Sequence, residues 1–363
     1  QTTGEFNAFS NDCVDSTDNT DILVRQLADD TKLIVTTLQK LNNAIVKEQH
    51  ATRLEKQQDS RVVFIFDECH RSQFGETHAR IVKFFRNCQL FGFTGTPIFT
   101  ENAMNSGSIK HTTARLFTEC LHKYVITDAI HDENVLRFSA EYIGKYVNKD
   151  GSANSIDIQV EDIDRQELFD SPERLRKIAE YIIANHGRKT HNRSFNAIFC
   201  VSSIPTLIAY YRIFQELKQA GAHNLTIATI FSYTDNEDET EDIALQQQAS
   251  YRMVAEGGVS FTPTHTRDKL EECIGDYNAL FGTAYTTKDP RSFQSYSTDI
   301  SDRVKNCEID ILLVVNMFLT GFDSVRLNTL YADKNLRYHG LIQAFSRTNR
   351  ILDEKKSHGN IVC

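Results

Sequence analysis

The chain has 363 residues, 49 acidic against 40 basic side chains for a net charge of −9, with eight cysteines and no tryptophan. That length predicts two domains or three, and no run of eighteen apolar residues is present to cross a membrane. The opening QTTGEFNAFSND lacks the basic start and apolar stretch of a signal peptide, and no cysteine pair falls as C-x-x-C, so zinc sites and disulfide frameworks have little support and a reduced, cytoplasmic setting is expected.

In chain order, Lys32–Thr37 (KLIVTT) reads as a short strand, followed by a helix over Leu38–Glu48. Arg61–Phe66 (RVVFIF) is a continuous β-branched and aromatic run, the pattern of a strand covered on both faces. A helix over Ala79–Asn87 leads to a strand at Gln89–Thr94, which Gly95 and Pro97 close. A polar, acidic stretch from about Asp132 to Asp170 has the character of an inter-domain connection. A second series then runs through helix Pro172–His186, strand Phe195–Val201, helix Thr206–Gln219, strands Leu225–Phe231, Ile309–Val315 and Asn328–Asp333, and a helix over Gly340–Arg350. Ser232–Ser301 interrupts it and reads as an insertion with helical stretches such as Arg267–Phe281. Strands alternating with helices predict an α/β fold of parallel sheets. The expected organisation is a first lobe over 1–131, an acidic linker over 132–170, and a second lobe over 171–363 carrying an insertion at about 232–301.

The negative charge is local. Seven acids against one arginine lie between Asp157 and Glu173, and six acids with no base between Asp235 and Asp242. Outside those two stretches the formal balance is slightly positive, so the net charge does not exclude a nucleic-acid partner.

Asp67 and Glu68 follow directly on the RVVFIF strand, and ligands in open α/β folds bind beyond the carboxyl ends of strands. An aspartate there can hold a hydrated Mg2+ bound to a nucleotide, and the adjacent glutamate can polarise water for attack on a terminal phosphate. The bland alternative is a solvated acidic turn. Thr94-Gly95-Thr96-Pro97 closes the next predicted strand, so adjacent parallel strands would set its hydroxyls beside the acidic pair; by itself it is simply a good turn. At the far end, Arg347 and Arg350 are three apart and Gln343 is four before Arg347, which puts all three on one helical face. Forked, permanently charged guanidinium groups suit a transferring phosphate, although such a helix end is also an ordinary basic terminus. Leu319-Thr320-Gly321-Phe322-Asp323 forms another strand exit, suited to ligand or lobe contacts.

In this order, Asp67-Glu68-Cys69-His70, Thr94–Pro97, Thr320–Asp323 and Gln343–Arg350 resemble motifs II, III, V and VI of helicase superfamily two. Thr36–Lys40 resembles motif Ib and Ala197–Ser203 motif IV. The wording of VVFIFDECHRSQFGE, FGFTGTPIF, HKYVITDAI, FLTGFD and KNLRYHGLIQAFSRTNRI is similar to the motor (R) subunit of type I restriction-modification enzymes, from about Lys32 to Cys363. The resemblance implies two RecA-like lobes of P-loop NTPase type and an ATP- and Mg2+-dependent double-stranded DNA translocase that works with methyltransferase (M) and specificity (S) subunits and cleaves DNA. By motif, it implies that Asp67 holds Mg2+ and Glu68 activates water, while His70, Thr94 and Thr96 couple nucleotide state to lobe closure. Gly321, Asp323, Gln343, Arg347 and Arg350 would serve the nucleotide from the second lobe, and Thr36, Thr37 and Ser202 would touch the DNA backbone. Serines and threonines at such places are more often helix caps.

No G-x-x-x-x-G-K-[ST] loop is found, since the only Gly-Lys pair, Gly144-Lys145, is followed by Tyr146. Glu354-Lys355-Lys356 reads as a solvated surface turn rather than a nuclease motif. The expectation is therefore a piece of an R subunit that begins after motif I, with a truncated first lobe and no ATPase activity of its own. Two other readings stay open: a remodelling or repair translocase, which the coding sequence upstream would distinguish, and a non-catalytic scaffold, which nucleotide binding would exclude.

Overall fold

The computed structural model of the chain describes residues 2–10, 13–14, 17, 19–29, 31–69, 74–99, 105–106, 109–110, 112–143, 171–232, 263–334, 336 and 338–363. Two units separate within it, Gln1–Lys123 and Tyr124–Cys363.

In the first unit, helices α1 (Thr2–Phe9), α2 (Thr20–Ala28), α3 (Leu38–Val46) and α4 (Glu48–Arg53) precede strand β1 (Val62–Phe66). Helix α5 (Phe74–Phe84), strand β2 (Cys88–Gly92), the short antiparallel pair β3 (Asn105–Ser106) and β4 (Ile109–Lys110), and α6 (Thr113–Leu116) follow. β1 and β2 pair in parallel, with α5 as the crossover, as the βαβ pattern dictates. Leu23, Val24, Leu41, Ala44, Ile45, Leu54, Ile81 and Phe85 form the core, and Val62, Phe64 and Phe66 lie against it from β1. The opposite face of that strand is open among the described residues: Val63 is 49% and Ile65 67% exposed, so the strand is covered on one face and not on two. Lys32–Thr37 is not a strand either. It gains no ladder partner among the described residues; its Ile34 packs on the core and its Thr37 hydroxyl caps α3 by accepting from Lys40 N at 3.3 Å. An apolar run becomes a strand only where a neighbour satisfies its backbone.

In the second unit, α7 (Ile126–His131) and β5 (Arg137–Glu141) come before α8 (Pro172–Lys189), β6 (Asn196–Val201), α9 (Ile204–Gln219) and β7 (Ile227–Ile230). After α10 (Pro263–Phe281) and α11 (Pro290–Lys305) come β8 (Ile311–Val314), β9 (Leu327–Asp333), α12 (Tyr338–Phe345) and β10 (His358–Val362). The six strands run parallel in the order β5-β10-β9-β6-β8-β7. Every residue of β6, β7 and β8 is buried, as the largely apolar runs FNAIFCV, LTIATIF and IDILLVV lead one to expect.

Three expectations change here. Residues 137–141, placed in an acidic linker, are an edge strand; the mixed run RFSAE carries no strong strand signal, and β10 supplies its pairing. Residues 263–305, placed in an insertion, are two helices whose Leu270, Ile274, Tyr277, Tyr296, Ile300 and Val304 belong to the main core, with the Tyr296 hydroxyl donating to Thr229 O at 2.8 Å. The last helix stops at Phe345 and does not reach Arg350. Thr348 N and its hydroxyl both bond back to Phe345 O, and Leu136 N bonds to Asn349 O, so tight turns and a sheet contact replace the next helical turn.

His186, on α8, is completely buried, and its Nε2 has no hydrogen-bond partner among the described residues. Burial pushes its pKa down to about 4. The unfolded chain binds the proton near pH 6.5 and the folded one does not, so stability is complete above about pH 6.5 and falls as the pH drops toward 4. The loss approaches about 3 kcal/mol at the acid end. Urea unfolding from pH 7 to pH 4 is expected to show this slope, and His186→Gln to flatten it; identical slopes would show that His186 does not cause it.

Candidate functional site

In the first unit the chain leaves β1 and β2 side by side. Phe66 pairs with Gly92, Phe93 N donates to Phe66 O at 2.8 Å, and Cys69 N donates to Phe93 O at 3.1 Å. These bonds carry the parallel pairing past the strand ends, so Asp67 and Glu68 share one carboxyl edge with Thr94. Asp67 is exposed and its Oδ1 accepts from Glu68 N at 2.9 Å. Glu68 sits at φ 51°, in the left-handed region that side-chain-bearing residues enter only at a cost. Thr94 Oγ1 accepts from Thr96 N at 3.0 Å, which closes the Thr-Gly-Thr turn and buries Thr96. Burial is the main cause that raises the Cys69 thiol pKa and keeps it neutral. His70 lies outside the described residues.

Gly92 is what permits this closeness. A Cβ there would overlap the Phe117 ring and come within 2.8 Å of Cys69 Sγ. Gly92→Ala is therefore expected to destabilise the first unit by about 1–3 kcal/mol, the usual cost of overpacking. A denaturant midpoint equal to that of the unsubstituted chain would refute it.

The second unit holds the other half of the motif residues. Phe318 at φ 65° and Gly321 at φ 71° turn the chain after β8; a bulky aromatic residue in that region is a backbone outlier, and the glycine is not. Arg347 Nε donates to Gln343 O at 3.1 Å and its Nη1 to Phe322 O. Arg350 Nε donates to Asp323 Oδ1 at 2.8 Å, with the two side chains 38% and 60% exposed. The expected common helical face of Gln343, Arg347 and Arg350 is thus replaced: both arginines lie past the helix end and are held by the Gly321–Asp323 strand exit. Both guanidinium groups remain partly open to solvent and can take an incoming phosphate.

The remaining sites are less gathered. Thr37 is a helix cap, as noted, while Thr36 Oγ1 is buried with no partner among the described residues. Ser202 is exposed at the end of β6, with its hydroxyl 3.4 Å from that of Thr206, and its neighbour Ser203 caps α9. Two residues escaped the reading of the sequence. Asn349 is fully buried with neither end of its amide bonded to a described residue, and Lys356, placed in a solvated turn, is 2% exposed. Only the position of Asn349 between two motif arginines could have pointed to it.

Asp67 fits a role as carboxylate anchor for a nucleotide-bound Mg2+, because its side chain is exposed and, among the described residues, bonds within its own turn. No cluster of three metal-ligating residues occurs among the described residues, so the metal would take its other ligands from water and phosphate.

Two family models match: SWI2/SNF2 ATPase over residues 1–173 and type I restriction enzyme subunit R domain 3 over residues 193–363. The SauCOLORF180P endonuclease subunit of Staphylococcus aureus (strain COL), a type I restriction enzyme, is 48% identical over all of this chain and 37% of its own length. The SsaAORF53P endonuclease subunit of Staphylococcus saprophyticus is 47% identical, again over all of this chain and 37% of the relative. Among solved structures, the DNA-bound ATP-dependent Type ISP restriction-modification enzyme LlaBIII aligns over 96% of this chain and 21% of its own, at 10% identity and a TM-score of 0.48. The chain spans 37% of the length of these two curated relatives. With two consecutive family domains and near-half identity along its whole length, the chain belongs to the endonuclease (R) subunit family of type I restriction enzymes.

Proposed function

We propose that the protein of which this chain is part hydrolyses ATP to translocate double-stranded DNA and cleave it, in the cytoplasm, in complex with M and S subunits. The observation that carries this reading is the Asp67–Glu68 turn beside Thr94 at one sheet edge, with backbone strain at the glutamate, in a chain of this family. Asp67 would hold the Mg2+ of the bound nucleotide, and that ion would supply positive charge for the phosphates. Glu68 takes the proton of the attacking water. Arg347 and Arg350 offer their guanidinium groups to the developing phosphate charge. Gln343, Gly321 and Asp323 shape that surface, and His70, Thr94 and Thr96 relay the nucleotide state. Thr36, Thr37 and Ser202 meet the DNA backbone, a contact that carries no base information. The chain by itself, with no G-x-x-x-x-G-K-[ST] loop, turns over ATP negligibly.

The test is ATP turnover and DNA cleavage by the full-length protein with its M and S subunits. DNA-stimulated hydrolysis with cleavage of unmodified target DNA is the expected result. Hydrolysis without cleavage would favour a remodelling or repair motor, and absence of both would overturn the reading.

A further inference from the structure

Three cations from one stretch of chain grip the segment between β8 and β9. Arg347 reaches Phe322 O, Arg350 reaches the Asp323 carboxylate, and Lys356 Nζ donates to Val325 O at 2.6 Å and Leu327 O at 2.8 Å. The first two heads are partly open and can exchange these partners for a phosphate. The third is sealed at 2% exposure, and its own backbone is tied into a turn by Asp353, whose O and Oδ1 accept from Lys356 N at 3.1 and 3.3 Å. A buried lysine bonded to two backbone carbonyls holds those carbonyls in place, because releasing it takes a charged donor from both and leaves that of the buried Leu327 without this partner.

We infer that Lys356 is a positioning residue: by pinning the backbone at Val325 and Leu327, it sets Asp323 where the carboxylate holds the Arg350 guanidinium ready for a ligand. Lys356 touches no ligand in this scheme and acts through Arg350. The charged groups facing it are Arg350, which disfavours its protonated form, and Asp323 and Asp353, which favour it. Burial outweighs these and brings its pKa down to about 7, so the anchor gains or loses its charge near neutrality.

The consequence for turnover rests on the ATPase reading above, whereas the positioning of Arg350 does not, and two measurements separate them. The first is a kinetic cycle in the full-length enzyme with its partner subunits, comparing wild type, Lys356→Met, Arg350→Ala and the double variant. Lys356→Met is expected to lower kcat on the order of tenfold, with KM for ATP changed less than about twofold, and to have under about twofold effect once Arg350 is alanine. Equal losses in both backgrounds mean a general packing role and overturn the proposal. The second measurement needs neither a variant at Lys356 nor enzymatic activity. The Arg350 Nε–H resonance of this chain, assigned by its loss in Arg350→Lys and followed by arginine-selective NMR from pH 6 to 9, is expected to shift with a midpoint near 7. A flat resonance overturns the proposal even if the enzyme hydrolyses ATP; a titrating one supports it even if the enzyme does not.

Discussion

Glu68→Gln in the full-length enzyme is expected to lower DNA-stimulated ATP turnover by about 10²–10⁴-fold, the range a positioned general base contributes. Nucleotide affinity should stay within about threefold, because the amide keeps the shape of the side chain and loses only its capacity to take a proton. Asp67→Asn should differ by weakening Mg2+-dependent nucleotide binding itself, since a metal-bound phosphate needs the carboxylate charge. A further substitution asks why the backbone is strained here. Glu68 at φ 51° costs about 1–2 kcal/mol that glycine would not. Glu68→Gly is therefore expected to raise the stability of the first unit while abolishing turnover, the pattern of a residue kept for chemistry against the preference of the fold. Turnover within about twofold of wild type for Glu68→Gln would remove this residue from the role. Loss of stability in Glu68→Gly would mean that the side chain has a structural task.

The acidic pair and the Thr94 turn were legible because two successive parallel strands leave little freedom in where their ends lie. Once RVVFIF and QLFGFT are strands joined by one helix, their carboxyl ends coincide. The buried strands of the second unit were legible for a similar reason, since short apolar runs such as AIFCV and ILLVV, rich in β-branched and aromatic residues, have few alternatives. The arginines were not. Helical spacing put them on one face, but the helix ends at Phe345, where the Thr348 amide and hydroxyl both take the Phe345 carbonyl that a further turn needs, and Asn349 O is taken by the amide of Leu136, over two hundred residues away. Lys356 looked solvated because Glu354 and Lys355 beside it are exposed. Its burial follows from the distant carbonyls of Val325 and Leu327, which no local pattern announces. The edge strand at 137–141 was hidden in the same way, being a strand only because β10 lies beside it.

Asp310→Ala is expected to be the most damaging change to the stability of the second unit among those considered. Its carboxylate, 4% exposed, accepts from Arg193 Nε and Nη2, both at 2.6 Å, and from Thr226 N at 2.7 Å, so it ties the start of β6 to the start of β7 across β8. Arg193 is also the last of three successive residues at positive φ, with His191 at 50°, Asn192 at 54° and Arg193 at 65°, none of them glycine. Each such residue is disfavoured by about 1–2 kcal/mol, and the bidentate pair is what opposes unwinding of that turn. Removing one partner of a buried pair costs about 3–5 kcal/mol when the other stays dry. Here the Arg193 side chain is 40% exposed and regains water, so the lower end of that range, about 3 kcal/mol, is expected. For a unit of this size that lowers the melting temperature by about 6–12 °C. Asp310→Asn keeps an acceptor for Thr226 N and should lose about half as much. A shift below about 2 °C for Asp310→Ala would mean that the turn holds itself, and that the ion pair is an ornament of the sheet edge rather than its brace.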